Sequence, residues 1–237
     1  MDLGRNYKKT NETSYALGAS LTYELLENKT TSVIKVYFHT TFQKSFEYEK
    51  FINLCKENNI EYELNDRIFN RLSNKENCLV IGEFVKYKAP IDFTSNHIIL
   101  VNPSNMGNLG TIIRTAIGFD IKDLIIIKPA VDIFDPKVIR ASMGAFFHIN
   151  YQYYDSFSEY QSNIKDHHIY TFRLNGEVVL GSKPCERPYS LVLGNESSGL
   201  PAEYDHIGTG IVIKHSQEID SLSLPIATSI ALYEFGK

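Results

Sequence analysis

Asparagine and glycine residues crowd the stretch that follows the apolar run HIILV. Between positions 102 and 116 the chain reads NPSNMGNLGTIIRTA, in which Asn102, Asn105 and Asn108 precede Arg114. Amide side chains donate and accept hydrogen bonds, and a guanidinium binds phosphate or carboxylate through its planar fork. The same residues are typical of a plain glycine-rich connection from a strand to a helix, with the arginine facing solvent. The spacing is neither a dinucleotide fingerprint nor a phosphate-binding loop.

A second polar loop follows the apolar run SLVL. Positions 191–201 read LVLGNESSGLP, in which Gly194 and Gly199 permit a close approach of the backbone to a bound molecule. Glu196 places a carboxylate in the same loop. An ordinary surface loop would explain these residues equally well.

A third loop lies within positions 211–227, which read IVIKHSQEIDSLSLPIA. The pattern predicts a strand, a polar loop and a helix. Asp220 and Ser221 are residue types that cap helices, because their side-chain oxygens accept hydrogen bonds from free amides. Capping does not explain why three loops of one sheet gather Gly, Asn, Ser, Arg and Glu together.

The elements that position these loops are short apolar strands that alternate with helices. Strands of this kind are buried on both faces of a parallel sheet, and ligands of such sheets bind beyond the carboxyl ends of the strands. The predicted strands are His97–Val101, Asp123–Lys128, Ile169–Phe172, Ser190–Leu193 and Gly210–Ile213. The predicted helices are Gly110–Phe119, Pro136–Met143, Ser156–Ile164 and Leu222–Tyr233.

The first part of the chain predicts a small α/β domain. A boundary is expected near Lys86–Pro90, where a proline follows a basic stretch, so we predict one domain over 1–90 and a second over 91–237. The predicted strands of the first domain are Val33–Phe38, Glu61–Leu64 and Cys78–Val85. Its predicted helices are Tyr15–Leu26, Phe46–Asn58 and Asp66–Leu72.

Composition excludes several classes of protein. Of 237 residues, 43% are apolar, enough for an ordinary globular core, and the net charge of −4 argues against binding nucleic acid by bulk charge alone. The charge is uneven, since residues 1–91 hold 13 Lys and Arg against 12 Asp and Glu. A local basic patch is therefore still compatible with the sequence.

Cysteine and apolar patterns predict the compartment. The three cysteines are far apart and form no CxxC pair, so we expect neither disulfides nor a metal site. The neighbours His167 and His168 are best explained as a loop or the start of a strand. No apolar run is long enough for a signal peptide or a membrane span, so we expect a cytoplasmic protein with no membrane partner.

In this order, NLGTIIRTA, LVLGNESSGL and IKHSQEIDSLSLPIA resemble the three motifs of the SpoU-type (TrmH-like) branch of the SPOUT RNA methyltransferases. Each motif is moderately specific, and three in the right order are highly specific. Residues 1–90 resemble the ribosomal-protein-like RNA-binding domain that often precedes this catalytic domain. The resemblance implies an α/β fold, with a parallel-sheet SPOUT domain that carries a C-terminal trefoil knot and forms a homodimer.

The resemblance also implies an activity. Members of this family transfer a methyl group from S-adenosylmethionine to RNA, usually to a ribose 2′-hydroxyl, and the two-domain layout favours rRNA over tRNA. Carried over by position, backbone groups at Gly194, Ile213 and Leu222 would hold the adenosine part of the cofactor. The residues expected at the reaction centre are Asn108, Arg114, Glu196 and Ser221.

The chemistry explains these residue types. A ribose hydroxyl must lose its proton as it attacks the methyl group, so the site needs a proton acceptor or a group that favours the alkoxide. Arg114 is the residue proposed as the acceptor in such families, but an arginine is normally charged, so we favour phosphate binding and charge stabilisation. Glu196 is expected to orient Arg114 or a loop amide. Asn108 fits the family spacing to the arginine better than Asn105 does.

One departure leaves a rival function open. The family usually has Ser-Leu-Asn in the third motif, whereas this chain has Ser221-Leu222-Ser223. A serine lacks the paired geometry of an amide, so a cofactor-binding RNA-interaction protein with weak or no catalysis is the alternative.

RNA contacts are expected from a few basic side chains. Arg140 is the best candidate, because it precedes a Ser-Met-Gly turn expected near the crevice of the parallel sheet. The other candidates are Arg5, Lys8 and Lys9 near the N-terminus. Each of the four is otherwise explained as a solvated charge.

Overall fold

The computed structural model describes residues 7–72 and 77–237. The strands are β1 (Thr13–Leu17), β2 (Val33–Phe38), β3 (Glu61–Leu64), β4 (Val80–Val85), β5 (His97–Val101), β6 (Asp123–Ile127), β7 (Asn150–Tyr154), β8 (His168–Phe172), β9 (Val178–Val179), β10 (Tyr189–Leu193) and β11 (Thr209–Val212). The helices are α1 (Ala19–Asn28), α2 (Tyr48–Glu57), α3 (Asp66–Leu72), α4 (Met106–Gly118), α5 (Pro136–Ala141), α6 (Phe157–Gln161) and α7 (Leu224–Phe235). Short 3₁₀ helices span Thr30–Ser32, Thr40–Lys44, Ala145–His148 and Ala202–His206.

The described chain divides into two compact units. The first unit contains the chain up to Tyr87 together with Asp132–His148, and the second contains Lys88–Val131 and Ile149–Lys237. The segment that carries α5 therefore belongs to the N-terminal unit, although it lies between β6 and β7 in the sequence.

The N-terminal unit contains a mixed four-stranded sheet in the order β1-β4-β2-β3. β4 pairs antiparallel with β1 and β2, whereas β2 and β3 are parallel. Its core contains an aromatic cluster around Phe38. The ring of Phe42 stacks on that of Phe38, and the ring of Phe51 packs edge to face against both. The small N-terminal α/β arrangement predicted from the sequence is thus present.

The predicted helix Tyr15–Leu26 is wrong in its first part. Residues 13–17 form β1, and the buried hydroxyl of Ser14 donates to the carbonyl of Phe134 at 2.5 Å. Gly18 has a φ of 120°, which favours glycine, and it separates the strand from α1. The sequence does indicate this break between strand and helix, because Gly18 interrupts the apolar pattern.

The second unit is built on a parallel seven-stranded sheet in the order β7-β6-β5-β10-β8-β11-β9. The five strands predicted from apolar runs are confirmed to within one residue at each end. β7 was not predicted, because its sequence NYQYY lacks an apolar run. Since β5 and β10 are neighbours, the first two polar loops leave adjacent strands at the same edge of the sheet.

A buried polar network lies near the amino ends of β5 and β10. The Nδ1 atom of His97 lies 2.7 Å from the hydroxyl of Tyr160, which lies 2.6 Å from the hydroxyl of Ser190. Ser190 in turn lies 2.8 Å from Nδ1 of His167. The Nε2 atoms of His97 and His167 face the carbonyls of Asp92 and Phe93 at 2.8 and 2.9 Å. These side chains tie two strands to the loop before β5.

The paired histidines lie where the sequence indicated. His168 begins β8 and His167 precedes it, which confirms the assignment to a strand start. Within 7–72 and 77–237, no three His, Cys, Asp or Glu side chains are grouped as metal ligands would be. No helix in those same ranges is long and apolar enough to cross a membrane.

Candidate functional site

A cavity of about 540 Å³ opens at the carboxyl edge of the parallel sheet. The ends of β8, β10 and β11 and the segment before α7 enclose it, so the second and third polar loops both line it. Apolar walls come from side chains that include Leu193, Ile211, Leu222 and Leu224, and polar groups come from residues that include Asn195, Glu196, Ser197, Asp205 and Ser221. The volume and this mixed lining are typical of a pocket for a small molecule or cofactor.

The second polar loop folds back on itself. Asn195 and Gly199 exchange two main-chain hydrogen bonds of 3.0 Å, and Gly199 has a φ of +69°. A Cβ on Gly194 would lie 2.1 Å from the carbonyl carbon of Gly199, so no other residue fits there without moving the loop. Gly194 therefore allows two backbone segments to meet at the cavity wall.

The side chain of Asn195 joins the first loop to the second. Its Nδ2 donates to the main-chain oxygen of Asn102 at 2.7 Å, and its Oδ1 accepts from the amide of Ser197 at 2.9 Å. One amide thus satisfies polar groups of both loops and fixes their separation.

Glu196 binds the start of the first loop. One carboxylate oxygen accepts from the amide and hydroxyl of Ser104 at 3.1 and 2.8 Å, and the other accepts from the amide of Asn105 at 3.1 Å. Longer bonds of 3.3 Å come from the side-chain amides of Asn108 and Asn195. Burial acts to raise the pKa of this carboxyl, but the hydrogen bonds outweigh it and hold the pKa below its usual range. Glu196 is therefore a charged acceptor that holds loop amides.

Asn105 and Asn108 have different roles in the helix that follows. Asn105 is the N-cap of α4, where its side chain accepts from the amide of Asn108 at 3.1 Å. The side chain of Asn108 points back to Glu196 instead. The structure thus brings Asn108 and Glu196 together, while the main-chain amide of Asn105 binds the same carboxylate oxygen.

Arg114 lies apart from these contacts. It is exposed on α4 and is not among the residues lining the cavity. It lies six positions after Asn108, which places the two side chains about 120° apart around a helix. Within the described part of the chain, the guanidinium has no hydrogen bond to Glu196, so of the two roles expected for Glu196 only the loop-amide role is present.

The third loop lines the cavity with Ile213, Ser221 and Leu222. The N-cap position of α7 is Ser223, and its side chain makes no capping hydrogen bond. Asp220 and Ser221 therefore lie before the N-cap, and the interpretation of these two residues as helix caps is wrong. Both line the cavity instead.

The basic residues expected to contact RNA lie in the N-terminal unit or outside the described residues. Lys8 and Lys9 are exposed, whereas Arg5 falls outside the ranges that the structure describes. Arg140 was expected near the crevice of the parallel sheet, and this expectation stays a prediction. It lies on α5, whose segment belongs to the N-terminal unit, because α5 packs on β1.

Two charged cavity residues were missed by sequence reasoning. Arg173 is the first residue after β8, and Asp205 lies in the 3₁₀ helix that follows the second loop. For Arg173 the signal was positional, since a charged residue directly beyond an apolar strand of a parallel sheet lies at the ligand-binding edge. Neither residue belongs to a recognisable motif.

The parallel sheet and the cavity at its carboxyl edge define an α/β protein that binds a small molecule or cofactor beyond its strand ends. A sequence model of the SpoU rRNA Methylase family matches residues 95–233. The chain belongs to this family, which confirms the resemblance carried by the three loops.

Relatives and solved structures support the same fold. The chain is 26% identical over 154 residues to an uncharacterized tRNA/rRNA methyltransferase of Synechocystis, a match over 62% of this chain and 55% of that protein. It is 24% identical over 144 residues to the 23S rRNA (guanosine(2553)-2′-O)-methyltransferase RlmP of Bacillus subtilis, over 59% and 58%. The crystal structure of the AdoMet-bound rRNA methyltransferase from Sinorhizobium meliloti superposes with a TM-score of 0.80 at 23% identity, covering 94% of this chain and 87% of that one. The chain thus spans little more than half the length of these two curated relatives, and the likeness to the crystal structure shows the fold.

Proposed function

We propose that this chain transfers a methyl group from S-adenosylmethionine to a ribose 2′-hydroxyl of RNA, with rRNA favoured over tRNA. The observation that carries the proposal is the cavity at the carboxyl edge, which the second and third motif loops line. Glu196 attaches the first motif loop to the same place. All three motifs of the family are therefore gathered at one site.

The cavity fits the cofactor. Its apolar walls suit an adenine ring, and its polar groups suit a ribose and an amino acid head. Backbone groups at Gly194, Ile213 and Leu222 would hold the adenosine part, and all three residues line the cavity. When bound, S-adenosylmethionine supplies an activated methyl group.

The residues of this chain then have distinct tasks toward RNA. Arg114 is an exposed cation that binds the phosphate beside the target and stabilises the charge that develops on the ribose oxygen. Asn108 and Ser221 offer hydrogen bonds to ribose or water. Glu196 positions the first loop, because its oxygens are already occupied by donors from that loop.

The proposal includes a homodimer and a knot, as the family resemblance implies. α7 exposes Ile226, Ile230 and Tyr233, whose relative exposures are 51%, 37% and 60%. These residues are spaced by four and three positions, so they lie on one face of the helix and suit burial against a second copy. We place the trefoil knot in the last part of the second unit, between β8 and α7.

RNA binding by the N-terminal unit is the remaining part of the proposal. Lys8 and Lys9 are exposed there, and Arg140 on α5 belongs to the same unit. These cations suit phosphate contacts that position an RNA without reading its sequence.

Methyl transfer is tested by incubating the protein with purified rRNA and tRNA and a radiolabelled methyl donor. We expect label in ribose 2′-O-methyl groups of rRNA. Label on tRNA alone would mean that tRNA, not rRNA, is the substrate of the same reaction. Label on a base would contradict the proposal that the 2′-hydroxyl is methylated.

A second function is favoured by Ser223. This residue stands where the family usually has asparagine, and its side chain makes no capping bond in the structure. A protein that binds the cofactor and RNA without transfer would show calorimetric cofactor binding and no label on any RNA. Ser223→Asn separates the two functions, because label that appears only in this variant would assign the natural chain to the non-catalytic class.

A further inference from the structure

Arg173 is a cavity residue that none of the three motif loops contains. It follows β8 directly, and its side chain is only 10% exposed. Its Nη1 donates to the main-chain oxygen of Asp205 at 2.9 Å and to the Asp205 carboxylate at 3.2 Å. Its Nη2 donates to the carboxylate of Glu177 at 3.0 Å. One guanidinium therefore holds two segments that are far apart in the sequence.

The contact with Glu177 extends to β11. The second carboxylate oxygen of Glu177 accepts from the amide of Gly210 at 3.0 Å. A Cβ on Gly210 would lie 2.2 Å from Nη2 of Arg173, so the guanidinium lies directly against this strand. The main-chain amide of Arg173 also donates to the carbonyl of Ile211 at 3.0 Å.

The segments that Arg173 joins are those that lead out of the second motif and into the third. Asp205 lies in the 3₁₀ helix Ala202–His206, just after the second loop, and it lines the cavity. β11 ends at Val212, next to the third loop, and Ile211 lines the cavity as well. Arg173 thus spans the distance between the two motif loops that enclose the cavity.

Stability alone does not explain this arrangement. The side chains of Glu177 and Asp205 are 58% and 40% exposed, and ion pairs to exposed carboxylates gain little. Burial of a guanidinium costs solvation, and its Nε has no hydrogen-bond partner within the described residues. A buried cation with such partners is better explained by the geometry that it fixes.

We propose that Arg173 is a positioning residue that fixes the separation of the second and third motif loops and so shapes the cavity for the nucleoside part of the methyl donor. The inference rests on the proposed function. Arg173 acts through Asp205 and β11 and does not touch the reacting atoms.

Isothermal calorimetry with S-adenosylmethionine tests the inference, with thermal melting of each variant alongside. We expect Arg173→Met to raise the Kd for S-adenosylmethionine about tenfold or more, because small displacements of a binding group have large effects. Lys165→Met is the matched control, because it removes an exposed cation before β8, and we expect its Kd to equal that of the wild type. In turnover assays, Arg173→Met should raise the KM for the methyl donor and leave the KM for RNA unchanged.

Two further variants keep the inference testable if Arg173→Met does not fold. Arg173→Lys keeps the charge but lacks the fork that reaches both carboxylates, so we expect an intermediate Kd. Asp205→Asn weakens the contact between Arg173 and the side chain of Asp205, so it should also raise the Kd for S-adenosylmethionine. When Asp205→Asn is combined with Arg173→Lys, the two effects should fall short of additivity, since both variants disturb one contact.

The outcomes separate this inference from the proposed function. If the wild type does not bind S-adenosylmethionine, the proposed function fails and the inference fails with it. If the wild type binds and the Arg173 and Asp205 variants bind equally well, the proposed function stands and the inference is overturned. A lower melting temperature with an unchanged Kd would likewise overturn it, because Arg173 would then serve stability alone.

Discussion

At the residue scale, Glu196 shows how one carboxylate can hold the loops of a site together. Its two oxygens accept hydrogen bonds from Ser104, Asn105, Asn108 and Asn195. A carboxylate is suited to this place because it only accepts, whereas an amide would present two donors to groups that also donate. The position of the first motif loop therefore depends on the charge of this residue.

Glu196→Gln tests that dependence. The new amide nitrogen would face donors that now meet an oxygen, so we expect the free energy of unfolding to fall by about 1–3 kcal/mol. Cofactor binding and methyl transfer should fall with it, because the first loop loses its anchor. Urea denaturation and calorimetry measure the two effects. Ser197→Ala, in the same loop but not bonded to the carboxylate, is the control and should change stability less.

Arg114→Ala is the corresponding test of chemistry. Arg114 is exposed and does not line the cavity, so the variant should bind S-adenosylmethionine as the wild type does. Methyl transfer should be abolished, because the phosphate clamp and the stabilising charge are lost. Calorimetry and label incorporation measure the two properties separately. Near-normal turnover in this variant would remove Arg114 from the reaction centre.

Residue types and spacing predicted part of this site and not the rest. The loop of Glu196 was predicted because it follows a strand of a parallel sheet, and a loop amide was one of the two partners expected for it. That Ser104 and Asn105 are the partners depends on β5 and β10 being neighbours, which spacing alone does not define. Arg173 was missed because it lies outside the three motif loops, and its contact with Asp205 depends on how the segment after β10 folds back beside β8.

At the element scale, the apolar runs were the reliable signal. β5 and β6 were predicted because every residue in them is buried on a sheet covered on both faces. β7 was missed because four of its five residues are only half buried, so its sequence is polar and aromatic. The helix predicted across Gly18 failed because pairing of β1 with β4 outweighs the helical spacing of a few apolar residues.

The polar network at the amino ends of β5 and β10 makes the stability of the fold depend on pH. Nε2 of His97 faces a carbonyl oxygen and must carry a hydrogen, so the neutral ring accepts from the Tyr160 hydroxyl at Nδ1. Burial lowers the pKa of His97, and the nearby His167 lowers it further, while Asp92 and Asp123 oppose the shift. The folded chain thus holds His97 neutral at a pH where the unfolded chain protonates it.

We expect stability to fall as the pH drops below about 6.5, the ordinary pKa of histidine. Above that pH both states are neutral at His97 and its contribution is constant. Below it the unfolded state binds more protons than the folded state, so the free energy of unfolding decreases with falling pH. Urea denaturation between pH 5 and 8 measures the slope.

His97→Gln is the control for this pH dependence. Glutamine does not titrate and offers both a donor and an acceptor, so the slope below pH 6.5 should be smaller than that of the wild type. The other histidines are the same in both proteins, so we assign the difference between the two curves to His97. Equal slopes would show that His97 keeps its ordinary pKa.

At the scale of the whole molecule, the net charge of −4 is compatible with RNA binding only if a few basic side chains at specific positions contact the phosphates. One face of the N-terminal sheet illustrates the constraint, because Lys35 is surrounded there by Glu61 and Glu63 and is paired in register with Glu83. This face carries more acids than bases and would repel phosphate. We therefore expect RNA to meet other surfaces, such as those that carry Lys8, Arg114 and Arg140.

Few phosphate contacts imply a weak dependence of RNA binding on salt. Each neutralised phosphate contributes about −0.7 to −0.9 to the slope of log K against log salt concentration, so three or four contacts give a slope of about −3. We expect a slope of this size in filter-binding titrations across salt concentrations. The double variant Lys8→Gln and Arg140→Gln should reduce it by up to about 2, one unit for each phosphate lost. A wild-type slope several times steeper would contradict this expectation, because many more cations would then contact RNA than the charge distribution indicates.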